Sequence, residues 1–380
     1  MKTHIIAGQP SWRIAAGDVE AYLTQLGGHL GPVRFGKIQP YSTAPWCEEK
    51  LDPATPAILR VLRGDFFCLP FGGNATPCRG EHHPVHGETA NAKWKLESQT
   101  DHSLHVSLQT RIRPGRVDKR VFLRPGHNAV YQQHVISRMT GPMNFGHHAM
   151  LRFPDEPGSG FISTSRFVYG QVLPVPFENP EQYGYSALKP GAEFTSLKKV
   201  ATATGELTDL SRYPARRGFE DLAMVVSDGA LPFARTAVTF PKQRYVWFAL
   251  KDPRVLRQTI FWISNGGRHY APWNSRHVNV MGLEEVTSYF HLGLAEATRR
   301  NPLVAKGFPT CLRLNPQTPT LVNYIMAVAP IPKEFDRVVA ITPAKDGQSV
   351  KLTASSGRTT VAVLDLNFLG IDNLRPKPVF

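Results

Sequence analysis

The feature that most constrains the fold is a run of apolar residues at every second position between residues 103 and 138. In the segment SLHVSLQTRI, Leu104, Val106, Leu108 and Ile112 fall on one side of an extended chain, as a half-buried strand requires. The segments RVDKRVFLRPG and NAVYQQHVISRM follow, and each junction carries the turn sequence RPG. The pattern predicts three consecutive antiparallel strands.

Strand-like composition continues through most of the chain. Sustained alternation of strands with helices is absent, which argues against a parallel α/β sheet. The 31 glycines and 32 prolines among the 380 residues favour turns and short strands. We therefore expect an all-β protein whose strands, about fifteen or more, divide into packed sheets. Further strand-like runs occupy residues 147–153, 235–250, 257–264, 277–284, 349–354 and 358–366.

Two segments have the apolar spacing of a helix. Residues 18–28 place four apolar side chains at positions i, i+3, i+4 and i+7, and residues 283–300 show a weaker version that Gly293 interrupts. The proline-rich stretch 171–192 predicts a long surface loop, a candidate lid. No linker or internal repeat divides the chain, so we expect residues 1–380 to form a single domain that carries 171–192 as a loop insertion.

The net charge of +14 is spread along the chain. Such a charge can attract nucleic acid or an anionic membrane, but no run of five basic residues occurs, so we expect neither partner. Anionic small substrates such as sugar phosphates stay open.

The longest apolar stretch, 320–332, is too short to span a bilayer, and the first residues lack the apolar core of a secretion signal. Four cysteines without CxxC spacing fit a reducing compartment. We expect a cytoplasmic protein.

The segment GEHHPVHGETANAKW, residues 80–94, holds three histidines and two glutamates within nine positions. His82, His83, His86 and Glu88 are residue types that ligate zinc or iron. A metal-dependent β-barrel oxygenase of the cupin type would need the spacing His-x-His, whereas this segment has His-His-x-x-His-x-Glu. On a strand, moreover, His83 and His86 would point to opposite faces. We therefore expect no metal here, and a proton-transfer site and a polar loop both stay open at this point.

The flanking residues resemble motifs of the aldose 1-epimerase (galactose mutarotase-like) superfamily. Arg63-Gly64, then the run Cys68-Leu69-Pro70-Phe71-Gly72, then His86-Gly87 and Trp94 follow in the order of that family. Their spelling is most similar to that of hexose-6-phosphate mutarotases and their unassigned relatives.

Three later segments extend the resemblance to roughly residues 20–330. NFGHHAMLRFP (144–154) places His148 at the family's second histidine, and VMGLEEVTSYF (280–290) places Glu284 at its glutamate. LRLNPQTPT (312–320) is similar to the segment before the closing strands. YLTQLGGHLGPVRF (22–35) resembles the opening pair of strands, so we expect a strand over 18–28 despite its helical spacing. The chain departs from the family at three positions: Asp65, Ala149 and Glu285 replace a glycine and two prolines.

The resemblance implies a β-supersandwich of large antiparallel sheets with few short helices, and a cofactor-free enzyme that interconverts sugar anomers. That reaction takes a proton from the anomeric hydroxyl and gives one to the ring oxygen, so an acid and a base must both reach one carbohydrate. The resemblance assigns Glu284 as base, His148 as acid and His86 as stabiliser of charge on the ring oxygen. Further candidates for contacts with the sugar are Arg63 (hydroxyls or phosphate), Trp94, Trp262 and Trp273 (stacking), Asp221 or Asp209 (hydroxyls), and His147.

Each of these residues also has a purely structural interpretation. Glu284 would suit the first turn of a helix, His148 the interior of a strand, His86-Gly87 a turn, and the tryptophans a core. Two other functions fit the same fold: a carbohydrate-binding protein without turnover, and a carbohydrate lyase-like or hydrolytic enzyme.

Overall fold

Two large antiparallel sheets face each other and enclose the main hydrophobic core. The structure is a computed structural model that describes residues 3–371. One sheet has nine strands and the other has eight, and the inner faces of both contribute to a single buried apolar cluster that includes Trp247 and Met326 from the first sheet and Phe261 and Leu283 from the second. This arrangement confirms the all-β class and the expected division into packed sheets.

The nine-stranded sheet contains the three strands that the alternating pattern predicts. In spatial order it consists of β18 (Arg212–Tyr213), β13 (Gly160–Thr164), β20 (Ala234–Phe240), β21 (Tyr245–Lys251), β25 (Thr320–Pro330), β9 (Ala129–Ser137), β8 (Gly115–Leu123), β7 (Ser103–Thr110) and β6 (Lys95–Gln99). Strands β7, β8 and β9 pair in antiparallel register, as predicted.

The eight-stranded sheet carries the candidate catalytic residues. In spatial order it consists of β15 (Glu193–Phe194), β14 (Phe167–Val172), β19 (Phe219–Ser227), β22 (Gln258–Asn265), β23 (Val280–Thr287), β11 (Phe145–His147) and β5 (Phe67–Cys68), with β12 (Ala149–Arg152) also paired to β23. The outer face of this sheet is covered by loops and short helices, which form a second apolar cluster with Met150, Leu222 and Trp262.

Smaller sheets surround the two large ones. They are β1 (His4–Ile6), β2 (Gln9–Ala16), β3 (Val19–Thr24) and β4 (Leu30–Phe35); β10 (Gly141–Met143) with β24 (Leu312–Leu314); β16 (Val200–Ala201) with β17 (Leu207–Thr208); and β26 (Val338–Pro343), β27 (Ser349–Ala354) and β28 (Thr359–Val363). The last of these packs on the outer face of the nine-stranded sheet, where a third apolar cluster forms.

Helices are few and short. They are α1 (Ala57–Val61), α2 (Leu294–Thr298), α3 (Pro302–Ala305) and the 3₁₀ turns Glu88–Ala90, Pro180–Gln182 and Leu366–Leu369. Within residues 3–371 none of them has the length and apolarity needed to cross a membrane.

The two segments with helical spacing turn out differently. Residues 19–24 form strand β3, as the resemblance predicts. The helix expected over 283–300 is wrong for its first part, because residues 280–287 form β23 and all eight of them are buried in the sheet. Only α2, which begins after Gly293, is helical. The apolar spacing of this segment reflects a strand buried on both faces, which periodicity does not distinguish from a buried helix.

Polar groups cross the interface between the two sheets. Lys251 of β21 forms an ion pair with Glu285 of β23, and both side chains are almost fully buried. Two hydroxyl groups also donate to the Glu285 carboxylate. The Thr259 hydroxyl donates to Oε2 at 2.7 Å, and the Thr236 hydroxyl donates to Oε1. This network fixes β23 against the facing sheet.

Removing one partner of this ion pair should destabilise the fold. A Lys251→Met variant leaves the Glu285 carboxylate buried without its cation, so we expect the free energy of unfolding in urea to fall by about 3–5 kcal/mol. The control is Lys242→Met, whose ion pair with Glu156 is largely exposed and contributes little. Equal losses in the two variants would show that the buried network does not hold the sheets together.

Candidate functional site

A cavity opens on the outer face of the eight-stranded sheet. Its polar lining consists of His86, His148, Arg268, Glu284 and His291. Its apolar lining consists of Ile58, Leu59, Leu62, Phe66, Val85, Phe177, Leu222, Trp262 and Trp273. Aromatic walls with a few convergent polar groups are typical of small-ligand sites.

The three residues that the resemblance singles out converge in this cavity. His148 Nε2 lies 3.0 Å from Glu284 Oε1, and the ring centroids of His86 and His148 are 5.0 Å apart in an edge-to-face arrangement. They come from three distant parts of the chain and reach one cleft. This is the geometry that proton transfer to and from one ligand requires.

Strand geometry explains how Glu284 and His148 reach the same face. Glu284 lies on β23, and its neighbour Glu285 points into the sheet interface, because successive side chains alternate. His148 lies between β11 and β12, which both pair with β23. Gly282 makes room for the carboxylate, since a Cβ there would lie 2.8 Å from Glu284 Oε1.

A tight loop holds His86. Its neighbour Gly87 has φ of 74°, and a Cβ at that position would lie 1.9 Å from the carbonyl oxygen of Leu69, so only glycine fits. The amide N–H of His86 donates to the carbonyl of Gly72 at 2.7 Å. The two motifs Cys68–Gly72 and His86-Gly87 therefore pack directly on each other, which explains their joint occurrence in the sequence.

The same contacts fix the protonation of His86. The amide N–H of Gly72 donates to His86 Nδ1 at 3.3 Å, and burial, together with nearby His148 and His291, holds the pKa of His86 well below its usual value. The ring is therefore neutral and carries its proton on Nε2, which makes it a hydrogen-bond donor to a ligand oxygen.

Burial sets the protonation of the other two residues. It raises the pKa of Glu284 well above its ordinary value and lowers the pKa of His148 to about 3, because an apolar environment disfavours charge. Phe66 stacks on the His148 ring at 4.5 Å and Trp262 meets it edge-on at 5.4 Å. Both shifts favour neutral groups, so the pair shares one proton at rest.

Two tryptophans form one wall of the cavity. Trp273 lies edge-on to Trp262 at 6.0 Å, and the indole N–H of Trp262 donates to Oε2 of Glu220 at 3.2 Å. Burial raises the pKa of Glu220 to about 7. Trp262 and Trp273 thus lie where the stacking prediction needs them, and Glu220 orients the first of them from behind the wall.

Phe177, Arg268 and His291 are among the lining residues that sequence reasoning did not find. The Arg268 Nε donates to Glu178 Oε1 at 2.7 Å, and its guanidinium lies 4.4 Å from the ring centroid of Trp273. Phe177 and Glu178 belong to the stretch 171–192, so this loop reaches the cavity. The proline content of that loop was the only signal of its importance.

The structure places Arg63 and His147 away from the cavity. The Arg63 guanidinium is buried and donates to the carbonyls of Ile6, Ala7 and Val61. His147 points into the sheet interface, where its Nδ1 lies 2.9 Å from Asp65 Oδ2. Neither side chain lines the site. Arg63 connects the N-terminal strands to the loop after α1, and His147 points inward because successive side chains along a strand alternate between its two faces.

Trp94 and Asp221 also lie elsewhere. Trp94 is buried in the core, and its indole N–H donates to the carbonyl of Thr89 at 2.9 Å. Asp221 accepts from the backbone N–H groups of Ala187 and Leu188 at 2.9 and 2.8 Å and so anchors the end of the 171–192 loop. The competing Asp209 accepts from Ser211.

The rest of the histidine-rich segment forms a scaffold. His83 Nε2 lies 2.9 Å from Glu81 Oε2, and both oxygens of Glu81 accept from Arg113. Glu88 accepts from the backbone of residues 111 and 112, and His82 is exposed. Across residues 3–371, no three His, Cys, Asp or Glu side chains form a group that could hold a metal ion.

The raised pKa of Glu284 predicts a pH-dependent stability difference. A glutamate in the unfolded chain has a pKa of about 4.3. Above that pH the folded protein keeps a proton on Glu284 that the unfolded chain has lost, so the free energy of unfolding falls as pH rises. Glu284→Gln removes this loss, and its free energy of unfolding in urea should exceed that of the wild type by a margin that grows from pH 4.3 to 7. The lowered pKa of His148 affects the wild type and the variant alike, so it does not contribute to this difference.

The matched control for this series is Glu156→Gln, on the exposed surface. It should change stability little at every pH. A Glu284→Gln variant whose stability difference is constant over the pH range would contradict the raised pKa.

Comparison with solved structures finds extensive similarity of fold. A candidate aldose 1-epimerase from Escherichia coli superposes with a TM-score of 0.58 at 15% identity, over 84% of this chain and 99% of that one. A galactose mutarotase related enzyme from Lactobacillus acidophilus gives 0.55 at 12% identity, over 84% and 97%. A galactose mutarotase-like protein from Lactobacillus casei gives 0.56 at 10% identity, over 84% and 100%.

Sequence comparison adds no relative to these structures. No protein-family model matches the chain, and no curated protein matches it. The evidence for the fold therefore comes from the structural comparisons, which all find mutarotase-like proteins or epimerase candidates. The order of the sequence motifs is consistent with this fold. The chain has the galactose mutarotase-like fold, a β-supersandwich of large antiparallel sheets.

Proposed function

We propose that this protein is an aldose 1-epimerase-type isomerase, which interconverts the anomers of a sugar by opening and closing its ring. The observation that carries the proposal is the contact of Glu284 with His148 beside His86 in one cavity. The similar folds of an aldose 1-epimerase candidate and mutarotase-like proteins add support.

One shared proton is sufficient for the reaction. The reaction starts from the form of the pair in which His148 holds the proton, which the shifted pKa values make the minor form. In this form Glu284 is a carboxylate that takes the proton of the anomeric hydroxyl, while His148 gives its proton to the ring oxygen and the bond from that oxygen to the anomeric carbon breaks. The aldehyde turns, and the reverse transfers close the ring on its other face. Both oxygens are bonded to the same carbon, so a pair of side chains 3.0 Å apart can serve both.

Burial favours the state that ring opening leaves behind. After the two transfers Glu284 is a neutral acid and His148 a neutral base, the forms to which their shifted pKa values point. Closing the ring restores the starting state without exchanging a proton with solvent. His86 contributes through its Nε2–H, which donates to the ring oxygen while negative charge develops there.

The lining supports an uncharged sugar as substrate. Arg268 is the only arginine or lysine that the described part of the chain contributes to the lining. Its charge is already balanced by the ion pair with Glu178 and by nearby Glu220, whose field helps to raise the pKa of Arg268. Trp262 and Trp273 supply apolar surface for the carbon face of a pyranose. A phosphorylated sugar would find little uncompensated positive charge here.

The departure at Glu285 does not weaken the proposal. This residue replaces a proline of the family pattern, but its side chain lies in the sheet interface with Lys251 and Thr259 and does not line the cavity. A carbohydrate-binding protein without turnover is the alternative, and measurement of turnover separates the two.

Anomer-exchange NMR tests the proposed reaction directly. Wild-type protein should accelerate exchange between the α and β signals of one or more hexoses, and Glu284→Gln should reduce the rate by about 10²–10⁴-fold because the proton acceptor is lost. His86→Gln should reduce it less, and His82→Gln, an exposed histidine of the same segment, should leave it unchanged. Sugar binding without faster exchange by the wild type would favour the binding protein.

Substrate charge gives a second test. Because Arg268 is compensated, kcat/KM for a neutral hexose should exceed that for the same hexose 6-phosphate. Arg268→Gln should raise KM for the neutral sugar by several-fold with a smaller change in kcat, since the guanidinium donates to hydroxyls and not to the reacting oxygens. A preference for the phosphorylated sugar that disappears in Arg268→Gln would show that Arg268 reads a phosphate.

A further inference from the structure

A second cavity lies between the nine-stranded sheet and the C-terminal three-stranded sheet. It is lined by three segments, residues 162–167, 195–198 and 337–339, together with Ser211 and Arg235. It shares no residue with the cavity of Glu284 and His148. Within residues 3–371, its lining contains four cationic side chains and not one aspartate or glutamate.

Arg235 is a buried cation without a carboxylate partner. Only 6% of the residue is exposed, and its guanidinium donates to two neutral acceptors, Ser163 Oγ at 3.1 Å and the carbonyl of Val339 at 2.8 Å. Three of its five N–H groups have no protein acceptor within residues 3–371. Buried arginines are normally paired with an acid, so the missing partner is the feature to explain.

A second arginine adds to the uncompensated charge. Arg337 lines the same cavity and forms no ion pair with any residue in the described part of the chain. Burial, reinforced by the charge of Arg337, lowers the pKa of Arg235 to about 10. Of the other two cations, Arg166 is paired with Asp228, whereas Lys198 is exposed at the rim. Two guanidinium groups that repel each other across an open cavity favour the binding of an anion between them.

Serine hydroxyls complete the lining with donors. Ser163 Oγ already accepts from Arg235, Ser165 Oγ accepts from the Arg235 backbone N–H at 2.9 Å, and Ser196 Oγ accepts from the Lys198 backbone N–H at 3.3 Å. A hydroxyl whose oxygen is occupied in this way still has its own proton to donate. The cavity therefore offers hydrogen-bond donors from several directions in addition to positive charge.

We propose that this second cavity is a binding site for the phosphate group of a small ligand, held by Arg235 and Arg337 with the serine hydroxyls. A phosphate carries up to two negative charges and several acceptor oxygens, which match two guanidinium groups and converging hydroxyl donors. A carboxylate, with one charge and two oxygens, would leave part of this lining unused. The site is independent of the proposed isomerase reaction, because the two cavities have no residue in common.

Calorimetric titration with inorganic phosphate at low ionic strength tests the proposal. Wild-type protein should bind one phosphate, and Arg337→Gln should weaken that binding about tenfold or more, because it removes a charge-assisted contact. Arg337 is chosen because it is only partly buried, so the variant should fold. Arg235→Lys, which keeps the charge but not the planar fork, should also weaken binding.

Two control variants locate the site. Arg120→Gln removes an exposed arginine of β8 whose guanidinium donates to Gln133, and Arg268→Gln removes the arginine of the first cavity; both should bind phosphate as the wild type does. The proposal is overturned if the wild type does not bind phosphate, if Arg337→Gln binds as tightly as Arg120→Gln, or if Arg268→Gln is the variant that loses binding.

Discussion

The candidate site depends on one geometric constraint, the alternation of side chains along the eight-stranded sheet. Glu284 and His148 face the cavity, whereas their neighbours Glu285 and His147 face the other large sheet. Lys251 of the facing sheet holds Glu285, and Asp65, which lies just before β5, holds His147. A shift of one residue in register would exchange the two faces and destroy both sets of contacts, so the interior network positions the outward pair.

This arrangement requires that ionisable groups be buried on both faces of one sheet. On the inner face the charges are paired and hydrogen-bonded, which lowers the pKa of Asp65 despite its burial, chiefly through His147. Asp65 therefore stabilises the fold in its charged form. On the outer face Glu284 contacts a neutral His148, and burial raises the pKa of Glu284. In the outer pair burial favours the neutral forms, with the proton on Glu284, and strongly shifted pKa values in a cleft mark a candidate functional site.

Much of this could be predicted from the sequence, and the limits have physical causes. Alternation and turn residues predicted β7, β8 and β9, because such strands pair with their neighbours in sequence. The order of weak motifs brought His86, His148 and Glu284 together, although no local pattern links them. Arg268 and Phe177 could not be found, since they reach the cavity through loops whose course depends on long-range packing. Arg63 shows the converse: its motif matches the family, but three backbone carbonyls occupy its guanidinium.

The net charge of +14 illustrates why composition is a weak guide to substrate. Its scattered lysines and arginines leave anionic sugars open as substrates. Among the described residues, however, the cavity of Glu284 and His148 is lined by one arginine, which Glu178 and Glu220 compensate. The uncompensated arginines instead lie in the second cavity, around Arg235 and Arg337. Local pairing decides whether a charge attracts a ligand, because a compensated guanidinium has little field beyond its partner. The two proposals, a neutral sugar in the first cavity and a phosphate group in the second, rest on this same rule.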